Sequence, residues 1–267
     1  MSDPRAPLPG TAYYTYGVVP LDFSSAALDG AQGLGERPVE IVTGEKAAAL
    51  TSVVSLDEFG EEPLRANLND RDWLERAARA HEEVLERALA DAPVIPFRLC
   101  TVYRGREQVL ELLSERGATF AELLDRLRGT VELGVKAYLD RARFLEAAGA
   151  APAPASPSGR EYMLRRQRER TLDEEREQFK AECARSSHER LAAAALAAQA
   201  NPPQPPEVSG RTDEMVLNGA YLVMAADRTL ADAVTELEAT YGPRGVSYEL
   251  TGPWPPYNFV PRELAET

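Results

Sequence analysis

Apolar positions along this chain follow two periods, and the changes between them outline its elements. The run AYYTYGVV, Ala12–Val19, is aromatic and β-branched and stops at Pro20, which predicts a strand. Val39–Val42, ending at Thr43-Gly44, predicts a second strand and LTSVVSL, Leu50–Leu56, a third, the three forming a small antiparallel sheet. Between the first two, residues 21–38 carry Gly30, Gly33, Gly35 and Pro38 among small side chains and read as a mobile loop. The period then becomes helical. Trp73, Leu74, Ala77, Ala78, Val84, Leu85 and Leu89 form an i, i+3/i+4 stripe behind a cap at Asn69 or Asp70. VIPFRLCTVY, Val94–Tyr103, reads as a buried strand whose Pro96 places its start at an edge or bulge. Two helices follow, Arg106–Arg116 and Thr119–Leu127, parted at Gly117 and closed by Gly129.

A second unit opens with the strand VELGVKAYL, Val131–Leu139, and a short helix, Arg141–Ala148. The proline-rich APAPASPSG at 151–159 reads as a surface connector. A long helix is predicted over Arg160–Ala200, charged at 165–178, alanine-rich at its end and terminated by Asn201-Pro202-Pro203. Its apolar heptad is poor, because Leu172 and Phe179 are followed at the same spacing by Ser186. The strand Met215–Met224, the helix Thr229–Tyr241 and the strand Val246–Leu250 complete the pattern. The class is α+β: two α+β domains, 1–129 and 130–267, with short mixed or antiparallel sheets, the second carrying the long helix.

Composition narrows the function. The 267 residues carry a formal charge of −13, which disfavours a phosphate backbone as partner. The N-terminus has no signal-peptide pattern, and no uncharged apolar run approaches the roughly 20 residues of a membrane helix. Cys100 and Cys183, isolated from each other, fit a reducing cytosol rather than a disulfide framework or a zinc site. His81, beside Glu82 and Glu83 on the polar flank of its helix, is a conceivable general base but reads better as a surface or half-buried residue. His188 follows Ser186-Ser187, and neighbours on a helix diverge too far for a nucleophile–base pair. Thr43-Gly44-Glu45-Lys46 lacks a phosphate-binding glycine loop and reads as a turn opening a helix. Arg160, Arg165, Arg166, Arg168 and Arg170 form a basic cluster without interleaved aromatics, so a solvated helix pairing with Glu161, Glu169, Asp173, Glu174, Glu175 and Glu177 is preferred to an RNA site. No cofactor or metal motif is present.

A series of blocks resembles one family. GVSYELTGPWPPYNFV is similar to the C-terminal signature of the GvpL/GvpF gas vesicle proteins. VIPFRLCTVYRGREQVLELLSERG resembles the family's central block, and VELGVKAYLD, SGREYMLRRQRER, MVLNGAYLV, YYTYGVV and NLNDRDWLERAARAHEEVLE fit it in order, together covering about residues 12–260. The resemblance implies a non-enzymatic accessory or minor structural protein, cytoplasmic and gas-vesicle associated. Its expected partners are the main shell protein and other gas vesicle accessory proteins, and its fold an N-terminal and a C-terminal α+β domain. It implies no catalytic residues. The candidate partner-binding residues are Tyr13, Tyr14 and Tyr16 of the first strand, with docking by strand addition at 12–19, 50–56 or an edge near Pro96, and Trp254 and Tyr257 of the tail. Held extended by Pro253, Pro255 and Pro256, the tail is either a ligand for a partner or, the reading preferred here, a strap closing the second domain. A small-molecule enzyme with His81 in a site between the domains is the alternative function.

Overall fold

The computed structural model describes residues 10–149, 159–205 and 210–265. The connector expected at 151–159 lies outside them except for Gly159, as does the N-terminus before Gly10. The chain packs as two units: one runs to Val131 and includes the segment from Trp254 onward, the other is Glu132–Pro253. The tail from Trp254 thus belongs to the first unit.

The first unit is built on strands β1 (Thr11–Val19), β2 (Glu40–Thr43), β3 (Ala48–Ser55), β4 (Ile95–Pro96) and β5 (Val102–Tyr103), in the order β2-β3-β1-β4 with β5 also on β1. All pair antiparallel. Thr43-Gly44-Glu45-Lys46 is the β2–β3 hairpin turn, with Gly44 N–H donating to the Ala47 carbonyl at 2.9 Å, and opens no helix. Helices α1 (Leu56–Phe59) and α2 (Glu61–Asn67) lead into α3 (Arg71–Asp91). Asp70 caps α3 by accepting from the N–H groups of Asp72 and Trp73. Tyr14, Tyr16, Leu50 and Val54 from the sheet and Trp73, Ala77, Val84 and Leu85 from α3 make one core. At about 0.8 kcal/mol per buried methylene, this apolar interleaving is the main stabilising term.

Three expectations for this unit change. Residues 21–38 are a packed segment rather than a loose loop, because Leu28, Ala31 and Leu34 are buried against α3 and the sheet. Val94–Tyr103 is not one strand. It pairs with β1 at its two ends and turns between them, with Cys100 at φ 69°, because the Cys100 N–H is drawn to the Tyr14 hydroxyl at 3.0 Å. The two helices parted at Gly117 are one helix, α4 (Arg106–Leu127). Glycine there costs only about 1 kcal/mol, and Val109, Leu113, Phe120, Leu124 and Leu127 keep one apolar phase across it.

The tail closes this unit. Pro255, Pro256, Val260 and Leu264 are buried, the Tyr257 hydroxyl donates to Glu82 Oε1 at 2.8 Å, and Arg98 N–H donates to the Ala265 carbonyl at 3.4 Å. The strap expected on the second domain is thus a strap on the first.

In the second unit β6 (Thr130–Leu139), β7 (Ala197–Ala200), β8 (Glu214–Met224) and β9 (Val246–Trp254) form a sheet in the order β7-β8-β6-β9, antiparallel like the first. α5 (Arg141–Ala147), α6 (Gly159–Ala193) and α7 (Thr229–Tyr241) accompany it. Phe144 and Phe179 stack at 5.4 Å, and the Arg244 guanidinium lies 3.8 Å over the Phe179 ring. The long helix ends at Ala193, not Ala200. Alanine favours helix, but Pro202 biases Asn201 toward extended backbone, and β8 supplies a ladder for the residues before it.

Candidate functional site

The hydroxyls of Tyr14 and Tyr16 anchor two buried relays that shape one face of the first unit. Leu34 N–H donates to Tyr16 Oη at 2.8 Å, Tyr16 donates to Ser52 Oγ at 2.9 Å, and Ser52 donates to the Pro38 carbonyl at 2.9 Å. This fixes both ends of the 34–38 segment to the sheet. Gly33 is required beside it, because a Cβ there would overlap Tyr16 Oη and Ser52 Oγ. In the second relay Cys100 N–H donates to Tyr14 Oη, and Tyr14 meets His81 Nδ1 at 2.7 Å. His81 Nε2 lies 3.2 Å from the Phe97 carbonyl. A carbonyl only accepts, so Nε2 carries the proton and Nδ1 accepts from Tyr14.

The loop so held and the flank of α3 enclose a groove of about 490 Å³. Leu34, Trp73, Ala77 and Ala80 form its apolar floor, and Glu36, Glu58, Arg76, Arg79 and Glu83 its rim. Trp73, Ala77 and Ala80 follow helical spacing on α3, and the two alanines leave the space that a larger side chain would fill. On the loop, Gly35 and Glu36 take positive φ of 64° and 57°, which turns the chain back over the floor. Trp73 Nε1 donates to Glu58 Oε1 at 2.7 Å, Arg79 pairs with Glu75 and Glu83 with Arg87. Arg76 and Glu36 have no ion pair among the described residues, leaving one charge of each sign on the rim. Its floor is apolar and its edges carry two opposite charges.

The candidate residues fall into two groups. Tyr13, Tyr14 and Tyr16 are 5%, 0% and 0% exposed and none of them lines the groove, so their rings are core and not contact surface. β1 and β3 are interior strands, which corrects docking by strand addition at 12–19 or 50–56; the edges are β2 on one side and β4 with β5 on the other. Tyr257 is half-buried on Glu82, whereas Trp254 is 37% exposed. His81 is 1% exposed inside the first unit, which corrects both its surface placement and its role in the alternative enzyme reading. Burial holds its pKa down at about 4, so it stays neutral and sealed from any substrate. The Ser187 hydroxyl bonds Tyr248 at 2.6 Å and His188 bonds Tyr221 at 2.9 Å, in separate pairs. Burial pushes the Cys100 thiol up to about 11 and raises that of Cys183, away from reactive thiolate. Arg160, Arg166 and Arg170 have no ion pair among the described residues, whereas further along α6 Asp173 pairs with Arg176. Among the described residues no group of three His, Cys, Asp or Glu side chains is placed to hold a metal ion, and no helix is long and apolar enough to cross a membrane.

Sequence reasoning found Trp73 and Ala77 as part of an apolar stripe but missed the groove. The signal available was the pair of small residues at helical spacing, Ala77 and Ala80, together with the glycines at 30, 33 and 35.

The fold and the chain match known proteins over nearly their full lengths. Gas vesicle protein L from Streptomyces sp. (strain CB03234) is 38% identical over 250 residues, 92% of each chain. Gas vesicle protein L1 from Halobacterium salinarum is 27% identical over 93% of this chain and 90% of its own. The crystal structure of the gas vesicle protein GvpF from Anabaena sp. PCC7120 superposes with a TM-score of 0.68 at 19% identity, covering 96% of this chain and 97% of that one. That of GvpF from Microcystis aeruginosa gives 0.64 at 20% identity. The family model for the gas vesicle synthesis protein GvpL/GvpF matches residues 12–261, and the chain belongs to that family, whose members take part in gas vesicle formation.

Proposed function

We propose that this protein is a non-catalytic assembly factor that binds the main gas vesicle shell protein in the cytoplasm and limits its aggregation during vesicle nucleation or growth. The observation that carries the reading is the groove of the first unit, with its apolar floor of Leu34, Trp73, Ala77 and Ala80 and its mixed-charge rim. A subunit destined to face gas exposes apolar surface that self-associates in water. A groove of this kind covers part of that surface, and a carrier with a net charge of −13 keeps the complex dispersed. Trp254, exposed where the chain enters the tail, is a second contact candidate at the margin of the same unit. Other gas vesicle accessory proteins are partners of the assembled complex.

The test is co-expression with the main shell protein, followed by pull-down and sedimentation. Ala80→Arg fills the groove from a half-buried position without entering the core, and Arg76→Glu reverses the unpaired rim charge. Each is expected to weaken capture about tenfold, the loss of one central contact, with melting unchanged. Capture by both variants at the wild-type level would exclude the groove, and a shell protein neither bound nor kept dispersed by the wild type would exclude the function.

A further inference from the structure

The exposed edges of the two sheets are not alike. β2 begins with the exposed Glu40, β4 contains Pro96, β5 spans only Val102–Tyr103, and β9 carries Glu249 and Pro253, each a feature that discourages another strand from pairing. β7, Ala197-Ala198-Gln199-Ala200, has no charge and no proline, in a chain whose net charge is −13.

Its backbone direction follows from the ladder. β7 pairs with β8 in the register Ala197↔Leu222 to Ala200↔Gly219, and Asn201 N–H donates to the Asn218 carbonyl at 2.7 Å. In an antiparallel ladder alternate residues bond the same neighbour, so Ala197 and Gln199 bond β8 as Asn201 does, the alternation ending in a bulge where Leu196 N–H also donates to the Leu222 carbonyl at 2.8 Å. Ala198 and Ala200 turn their N–H groups outward, where neither has an acceptor among the described residues. The Ala200 carbonyl accepts from the Gln199 side chain at 3.3 Å.

We propose that β7 pairs with β7 of a second copy of this chain, antiparallel about a two-fold axis at Gln199, joining two four-stranded sheets into one. This register places Ala198 opposite Ala200 of the other copy and Ala200 opposite Ala198, so both outward N–H groups of each copy find carbonyls. It also sets Leu196, 62% exposed, opposite the exposed Pro202 of the other copy, on both sides of the axis. The alanines permit close approach, and the neutral strand brings no like charges together. The contact is short compared with a standard interface, so the dimer is concentration-dependent rather than permanent.

Sedimentation velocity of the full chain over the micromolar range, at physiological salt, tests the pairing. A reversible monomer–dimer equilibrium is expected for the wild type. Gln199→Lys and Gln199→Glu each set like charges across the axis and are expected to weaken association roughly tenfold or more, while an equimolar mixture restores it. Ala198→Pro removes an N–H that β8 does not use, and is expected to abolish association with unchanged circular dichroism. If that variant does not fold, the charge pair still decides. A wild type that remains monomeric, including one that instead captures another gas vesicle protein through β7, overturns the proposal. So does association unaffected by either charge, or not restored by mixing.

Discussion

His81 shows how a single side chain ties stability to pH. Its pKa is lowered from 6.5 to about 4 by burial, against the Phe97 carbonyl, which favours the charged form. Above pH 6.5 the imidazole is neutral in both the folded and the unfolded chain, and its full contribution to stability is present. Below that, the unfolded chain takes up a proton that the folded chain refuses until about pH 4. Stability then falls by about 1.4 kcal/mol per pH unit, roughly 3 kcal/mol across the window. His81→Gln keeps an acceptor for Tyr14 and a donor for Phe97 but cannot titrate. Urea unfolding at pH 7, 6 and 5 is expected to show a shallower acid loss for the variant than for the wild type. Equal slopes would mean that His81 does not carry this dependence.

At the scale of elements, α6 separates what a local pattern reveals from what it hides. Its buried residues Phe179, Cys183, Ser187 and Leu191 recur every fourth position, whereas residues 165–171 around its charged start are exposed wherever described. A seven-residue search meets Ser186 and stops; the true stripe passes through Ser187, a polar residue whose hydroxyl is satisfied by Tyr248 from β9. Phe179→Ala removes a ring stacked on Phe144 and is expected to cost about 3–5 kcal/mol, while Met163→Ala, at a position 66% exposed, changes stability by less than about 0.5 kcal/mol. Denaturant titration of the two variants checks the contrast, and similar midpoints would place Phe179 outside the core. The same division runs through the chain. β1, β3, α3 and α7 were legible because their apolar period is their own, and Thr229–Tyr241 was placed at its observed limits. The strand nature of Ala197–Ala200 was not, since it comes from β8 and not from alanine. Nor was the burial of His81, whose partner Tyr14 lies 67 residues away. The groove was half-legible: its α3 floor follows the helical stripe, but its lid is placed by a tyrosine relay that no local pattern records.

For the molecule as a whole, the tail decides how the chain is divided. Its GPWPPYNF signature reads locally as an extended segment that ends the second unit, yet from Trp254 it packs within the first. Val260 and Leu264 are each 7% exposed there, and the Tyr257 hydroxyl is donated to Glu82, whose carboxyl pKa burial raises. That hydrogen bond favours the charged carboxylate and opposes the effect of burial. Tyr257→Phe deletes it and leaves a half-buried carboxylate less well satisfied, for an expected loss of about 1–3 kcal/mol at neutral pH. Truncation after Pro253 also uncovers the apolar surface under Val260 and Leu264, at about 1.5–3 kcal/mol for each large side chain. The location of the damage is the sharper test, because a strap on either unit predicts some destabilisation. Hydrogen exchange in Tyr257→Phe is expected to quicken in α3 around Glu82 and in the turn after Phe97, with the amides of Val216–Val223 in β8 unchanged. Faster exchange in β8 with α3 protected would return the tail to the second unit and remove the division of the chain described above.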